Sequence, residues 1–347
     1  MMKSFYECNL FLDDSFEPRM TFTVIQQEII LDKALQNGKA SFSKQSVEYN
    51  CIWFEQKNWD LNKPSIIIPI KDNKELIEIT ITNLKEKGIY QEANIIVVDD
   101  RSQESLKDYV LSEELSYLRV DNDKGFNFSM LNNIAAKIAH SLGSKEIILW
   151  NSDLWCVKKE YFTELIKRHR ECGSTISGSK LIYPPVEYSM NKDGDSDNIK
   201  AHFPQMMGGK WRETIQFGGS GWAYTADRSP IAYSPIHYCR FKNKDSNLVN
   251  CDKGETFVTG ALQVIELEWF IKNGGLNPSL AKNFQDVDIC LRCIKGGQEV
   301  SYFGKDIYFY HDESVSLMKE GKSDKQLHSD HVLFSKIWNN EITTLVF

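Results

Sequence analysis

The chain is poor in the features that make assignment easy, and each lack excludes something. Its 347 residues include only eight cysteines, too few for a disulfide scaffold. Cys290 and Cys293 form a C-x-x-C, but no second Cys or His pair follows at zinc-finger spacing. They lie in "DVDICLRCIKGG", which reads as a helix, so packing is the expected role for these thiols. No apolar run approaches the ~20 residues of a membrane span. The stretch "MMKSFYECNLFLDDSFEPRM" carries acidic residues where a signal peptide needs an apolar core, so an intracellular protein is expected. Positive charge is in deficit: 41 Lys and Arg against 48 Asp and Glu give −7. That argues against a nucleic-acid partner, whose affinity rests on neutralising phosphates. No G-x-x-x-x-G-K-[ST] occurs, and no helical pattern follows "GGSGW" near 220, so neither Gly-rich phosphate cradle is present. No internal repeat is evident.

What remains is ordinary globular chemistry, with 41% hydrophobic and 26% charged residues. Residues 1–62 read as a small β-rich appendage with an Asn37-Gly38 turn signal. From Pro64 the pattern changes. "SIIIPI", "NIIVVDD", "SYLRVDN" and "EIILW" read as strands, several of them apolar on both faces. Between them lie "KELIEITITNLKEKG", "SQESLKDYVLSEEL" and "NFSMLNNIAAKIAHSLG", which have helical spacing. Asn127 or Ser129 is the expected cap of the last of these. Strand alternating with helix predicts an α/β fold with a mostly parallel central sheet flanked by helices. The middle, roughly 184–250, is loop-rich. Beyond it a strand and helix are expected in "ETFVTGALQVIELEWFIKNGG", a helix in "FQDVDICLRCIKGG", two short strands in "EVSYFG" and "DIYFYH", and a last amphipathic helix in "KQLHSDHVLFSKIWNN".

Ligands of such sheets bind beyond the carboxyl ends of the strands. Asp72, Asp99, Asp100 and the triplet Asn151-Ser152-Asp153 all fall at that edge. Without a Gly-rich cradle, a cation on carboxylates is the natural way to neutralise a bound diphosphate. The plain alternative for Asp99 and Asp100 is capping of the helix after Ser102.

The segments "SIIIPIKDN", "IIVVDDRS", "GFNFSMLNN", "ILWNSD", "KLIYPP", "TIQFGG", "FVTGALQVI", "GGLN", "FQDVDICLR" and "YHDES" follow one another in an order that resembles the family 2 glycosyltransferases. These are inverting enzymes of the GT-A fold, and the resemblance runs from about 64 to 340. It implies a GT-A domain over 63–340, with a nucleotide-binding half to 155 and an acceptor-binding half from 156. It implies that Pro69, Asp72 and Asp99 hold the nucleotide base, and that Asn132 and Asn151 lie beside the donor. Asp153 matches the last acid of the family's D-x-D element and His311 a further ligand, implying Mn2+ or Mg2+. Asn151 departs from the first acid. Asp286 matches the catalytic base, with Gln285 replacing a Glu. Asp288 is two residues on and off its helical face. With Gln285 and Trp222 it is assigned to the acceptor side. The implied activity is transfer from a nucleotide-diphosphate sugar, UDP by default, to a hydroxyl of a glycan or lipid-linked acceptor. Surface polysaccharide synthesis by a cytoplasmic enzyme, peripheral at the inner membrane face, is the implied setting. Two rivals stand. A sugar-nucleotide pyrophosphorylase lacks support because "PIKDN" has no Gly. A catalytically inactive glycan-binding or scaffolding subunit draws support from Asn151 and Gln285.

Overall fold

The computed structural model describes residues 7–11, 19–23, 39–44, 49–122, 125–188, 211–224, 233–312 and 325–346. The Asn37-Gly38 turn lies outside them. In chain order the first half comprises β1 (Glu7–Phe11), β2 (Arg19–Thr23), β3 (Lys39–Lys44), β4 (Tyr49–Glu55), β5 (Ser65–Ile70), α1 (Lys74–Glu86), β6 (Asn94–Asp99), α2 (Lys107–Ser112), β7 (Ser116–Asn122), α3 (Phe128–Ser141) and β8 (Glu146–Trp150). Next come β9 (Leu154–Cys156), α4 (Lys159–Cys172), β10 (Ile176–Ser179), β11 (Leu181–Ile182), β12 (Ile215–Phe217), β13 (Ser220–Tyr224), β14 (Tyr233–His237) and β15 (Asp252–Gly254). The chain continues through β16 (Leu262–Glu266), α5 (Leu267–Lys272), α6 (Gln285–Lys295), β17 (Val300–Phe303), β18 (Phe309–His311), α7 (Lys325–Trp338) and α8 (Ile342–Val346).

The large sheet is mixed around a parallel centre, with β7, β6, β5 and β8 side by side in that order. Every residue of β5 and β6 is buried, as strands covered on both faces must be. Because β5 has β6 on one side and β8 on the other, the chain reverses direction of winding there. In open α/β sheets such a switch marks the ligand-binding edge, here the carboxyl ends of β5 and β8. β16 then pairs antiparallel with β8, and β10 antiparallel with β16. A second sheet, β12-β11-β18-β9, stands beyond the end of β8. At the far edge β4 pairs antiparallel with β7, which places β1 to β4 in the same sheet.

The helix expected over "SQESLKDYVLSEEL" is shorter, Lys107–Ser112. Side chains claim the amides that would start it earlier. Asp99 Oδ1 accepts from Ser102 N at 2.8 Å, and Asp72 Oδ1 accepts from Gln103 N at 2.6 Å. Arg101 is left-handed at φ 49°. Local side-chain acceptors thus outcompete helix formation, and Glu114, at φ 59°, ends the segment. Cys290 and Cys293 are buried and unbridged.

Helix α3 is capped by Asn127, whose side chain accepts from Met130 N at 2.9 Å. Further along, Asn133 bridges to Leu276, accepting from its N–H at 2.8 Å and donating to its carbonyl at 2.7 Å. Gly275 makes room for this contact. It sits at φ 66°, and a Cβ there would run into the Asn133 carboxamide and the Phe270 ring. Gly275→Ala is therefore expected to cost about 2 kcal/mol or more, adding left-handed strain to overpacking. Urea unfolding checks this, and a loss below about 0.5 kcal/mol would contradict it.

Candidate active site

The end of β8 is shaped by a tight turn. Leu154 N donates to Asn151 O at 3.1 Å, and β9 leaves at once to pair with β18. That pairing sets His311 opposite Leu154, and Asp312 N donates to Asp153 O at 2.9 Å. The side chains consequently meet. Asp153 Oδ1 lies 3.2 Å from His311 Nε2, and Asn151 Nδ2 lies 3.4 Å from the same nitrogen. Asp153 and His311 are 6% and 5% exposed. Helix α1 fixes the turn from below. Thr80 donates to Ser152 O, and Asn83 both donates to Cys156 O and accepts from Cys156 N.

This donor set suits a hard divalent cation. Carboxylate oxygen and imidazole nitrogen are acceptable ligands, and neighbouring donors on an octahedral ion at about 2.1 Å stand about 3 Å apart. The 3.2 Å separation matches that edge. Asp153 and His311 are the residues that would hold such an ion.

The second group lies at the ends of β5 and β6. Pro69 is buried within β5, opposite Val98. Asp72 is exposed, left-handed at φ 49°, and tied to the neighbouring loop through Ser102 Oγ at 2.9 Å. Asp99 is fully buried and heavily engaged. Tyr117 donates to Oδ2 at 2.5 Å, Arg119 Nη1 to the same oxygen at 3.1 Å, and Ser102 N to Oδ1. Burial, and then the carboxylate beside it, push the Tyr117 hydroxyl well above its ordinary pKa. Asp100, also buried, pairs with Lys71 at 3.3 Å.

The third group surrounds α6. Asp286 is half-buried. Its Oδ2 accepts from Gly260 N at 2.8 Å and its Oδ1 from Val287 N at 2.9 Å. Burial raises its pKa, and these N–H donors oppose the rise without cancelling it. Gly260 favours this approach, because an added Cβ would crowd the Asp286 Cβ at 3.0 Å. The next residue, Ala261, accepts from Asn151 N at 3.0 Å. A short covalent and hydrogen-bonded path therefore joins the turn after β8 to the Asp286 carboxylate.

The remaining sequence candidates fall elsewhere. Asp288 is buried, with Oδ2 on Arg292 Nε and Oδ1 on Trp338 Nε1, both at 2.9 Å. Both of its oxygens thus hold the fold together. Asn132 is 0% exposed inside α3 and donates to Phe128 O one turn back. The buried Gln285 carboxamide oxygen has no hydrogen-bond partner among the described residues. Trp222 lies on the β13–β14 hairpin, donates to Thr256 Oγ1 at 2.8 Å and meets the Phe257 ring edge-on. Sequence reasoning gave no role to Gly260, Arg119 or Tyr117. The signal for Gly260 was present in "VTGA", where an isolated Gly before a buried strand marks a close backbone approach. Nothing local marked the other two.

The glycosyl transferase family 2 pattern matches residues 65–224, which include β5, β6, β8 and the Asn151–Asp153 turn. This stretch is a family 2 glycosyltransferase domain. The chain is 28% identical over 270 residues to the uncharacterized protein y4gI of Sinorhizobium fredii (strain NBRC 101917 / NGR234), a match covering 76% of it and 26% of that protein. It is 27% identical over 125 residues to the O-antigen biosynthesis protein RfbC of Myxococcus xanthus, covering 35% of it and 10% of that protein. The chain thus spans a small part of these relatives' lengths. Among solved structures, GalNAc-T7 with UDP, GalNAc and Mn2+ superposes with TM-score 0.54 at 13% identity, over 81% of this chain and 50% of that one. At that identity the likeness establishes the GT-A fold of the glycosyltransferase domain.

Proposed function

We propose that the chain transfers a sugar from a nucleoside-diphosphate donor to a hydroxyl of a glycan or lipid-linked acceptor, inverting the anomeric centre. The observation that carries this is the path from Asn151 N through Ala261 and Gly260 to Asp286. It sets a carboxylate with raised proton affinity beside the turn that offers Asp153 and His311. In this reading Asp286 accepts the acceptor hydroxyl's proton as that oxygen attacks. Asp153 and His311 hold Mn2+ or Mg2+, which offsets charge on the leaving diphosphate. Pro69, Asp72 and Asp99 border the base, and Asn151 the donor side; Asn132, buried inside α3, takes no part. Gln285 and Trp222 belong to the acceptor side, whereas Asp288, with both oxygens on Arg292 and Trp338, is left to the fold. The division at 155 into nucleotide and acceptor halves follows from this, with 1–62 as an appendage on the sheet edge.

UDP is the proposed nucleotide and Mn2+ the proposed ion, because the GT-A neighbour GalNAc-T7 was crystallised with both. Surface polysaccharide is the proposed product class, supported by the O-antigen biosynthesis relative. Among the described residues no helix is long and apolar enough to cross a membrane. We place the enzyme in the cytoplasm, meeting its acceptor at the inner face.

A thermal-shift screen of UDP, dTDP, GDP and CMP, with and without Mn2+, tests the site. A ligand that binds only the native state raises Tm by mass action. One nucleotide, expected to be UDP, should stabilise in a Mn2+-dependent way, and Asp153→Ala should remove the Mn2+ effect. Equal shifts in the variant would sink the metal assignment. The second reading, an inactive glycan-binding subunit, rests on neutral Asn151 and Gln285 at acidic positions. It predicts glycan binding with no Mn2+-dependent donor turnover.

A further inference from the structure

We propose that Asp330, on the C-terminal helix α7, is a positioning residue for Asp286, fastening the backbone of residues 281–283 and so fixing where helix α6 begins. The proposal rests on the reading of Asp286 as general base. Asp330 is 0% exposed. Its carboxylate accepts from Ala281 N at 3.3 Å, and from Lys282 N and Asn283 N at 2.9 Å each. Three successive amides converging on one buried carboxylate form an anion nest, here filled from within the chain. Hydrogen bonds to a charged acceptor are about twice as strong as neutral ones.

The next residue is Phe284, left-handed at φ 63°. A non-glycine residue in that region is strained and persists only when its surroundings hold it. Those surroundings are again α7. The Phe284 ring stacks on Phe334 at 4.7 Å and meets His331 at 4.6 Å. Gln285 and Asp286 follow at once. One turn into α6, Asp288 takes the Trp338 indole N–H, also from α7. A single helix therefore grips the incoming loop, its strained residue and the first turn that carries the base. Helix α3 holds the preceding stretch. Asn127 donates to Pro278 O, Ser129 to Leu280 O and Phe128 N to Ala281 O. Asp330 takes over where α3 lets go, three to five residues before Asp286.

The decisive readout is the titration of the Asp286 carboxyl, followed by 13C NMR in the full-length chain without substrate. In Asp330→Asn an amide group faces amides that need an acceptor. The loop is expected to loosen and admit water, and the Asp286 midpoint to fall by about one pH unit toward the ordinary carboxylate range. Lys336→Ala, an exposed change on the same helix, should leave the midpoint in place. An unmoved midpoint in folded Asp330→Asn overturns the proposal, as does an equal movement in Lys336→Ala. Should Asp330→Asn fail to fold, hydrogen exchange on the wild-type chain decides. The Lys282 and Asn283 amides should be protected like those of α7, and exchange at exposed-loop rates refutes the clamp. Failure of the base reading is separate. It shows as Asp286→Asn retaining donor turnover, measured as UDP release from UDP-glucose, UDP-galactose and UDP-GlcNAc with Mn2+.

Discussion

Asp286→Asn is expected to lower kcat by about a thousandfold, within the 10² to 10⁴ range of general base catalysis, while leaving the donor KM close to wild type. The amide preserves shape and an acceptor for Gly260 N but cannot take a proton. The pH dependence should fall with it. Because burial raises the Asp286 pKa above its ordinary value, the acid limb of kcat/KM in the wild type lies above the ordinary carboxylate range. Activity rises with pH through that limb as the base ionises. The limb should be absent from the residual activity of the variant. Linkage gives the stability a definite sign. A carboxylate whose folded pKa is raised favours the folded state at low pH and opposes it once pH passes the folded value. At neutral pH this linkage favours Asp286→Asn and works against the loss of the acceptor for Val287 N, so the variant should melt close to wild type. A strongly reduced Tm, or a full acid limb in the variant, would assign Asp286 to scaffolding.

Asp99→Ala should produce the largest loss of stability among the site variants, about 3 kcal/mol in urea unfolding. Breaking a buried ion pair by removing one partner costs roughly 3–5 kcal/mol, because the survivor keeps its desolvation penalty. The low end applies here. The Arg119 side chain remains 26% exposed and keeps Asp121 at 2.9 Å. Tyr117 has no such relief, since it is fully buried with its hydroxyl on Asp99. The Ser102 amide loses its acceptor as well, so the loop that also holds Asp72 should loosen. Asp99→Asn should be milder, because one oxygen can still accept. If the nucleotide-dependent thermal shift survives in Asp99→Asn, Asp99 serves the loop; if it disappears, the base contact stands. A loss under about 1 kcal/mol for Asp99→Ala would mean that the Tyr117–Asp99–Arg119 contacts contribute little.

The α/β alternation was legible because strands buried on both faces leave uninterrupted apolar runs, and "SIIIPI" and "NIIVVDD" are such runs. The polar strand ends were legible for the same reason, since Asp72, Asp99 and Asp153 interrupt that chemistry abruptly. The extent of α2 was not, because its start depends on two carboxylates competing for the amides of Ser102 and Gln103. Nor was the placement of Asn132. The family resemblance puts it beside the donor, but packing buries it.

By itself the sequence determined the order of the elements, the sheet edge on which the polar strand ends gather, and the residue types offered there. Periodicity and strand-end chemistry are local, and local patterns survive in one dimension. Only the tertiary structure decided which of those residues meet. His311 reaches Asp153 because β18 pairs with β9, more than 150 residues later in the chain. Asp286 is linked to the turn after β8 through Gly260 N and the neighbouring Ala261 carbonyl. Asp288 is spent on Arg292 and Trp338, and Asp330 holds the loop in front of the base. Each is a contact between distant segments, set by strand register and core packing rather than by any spacing along the chain.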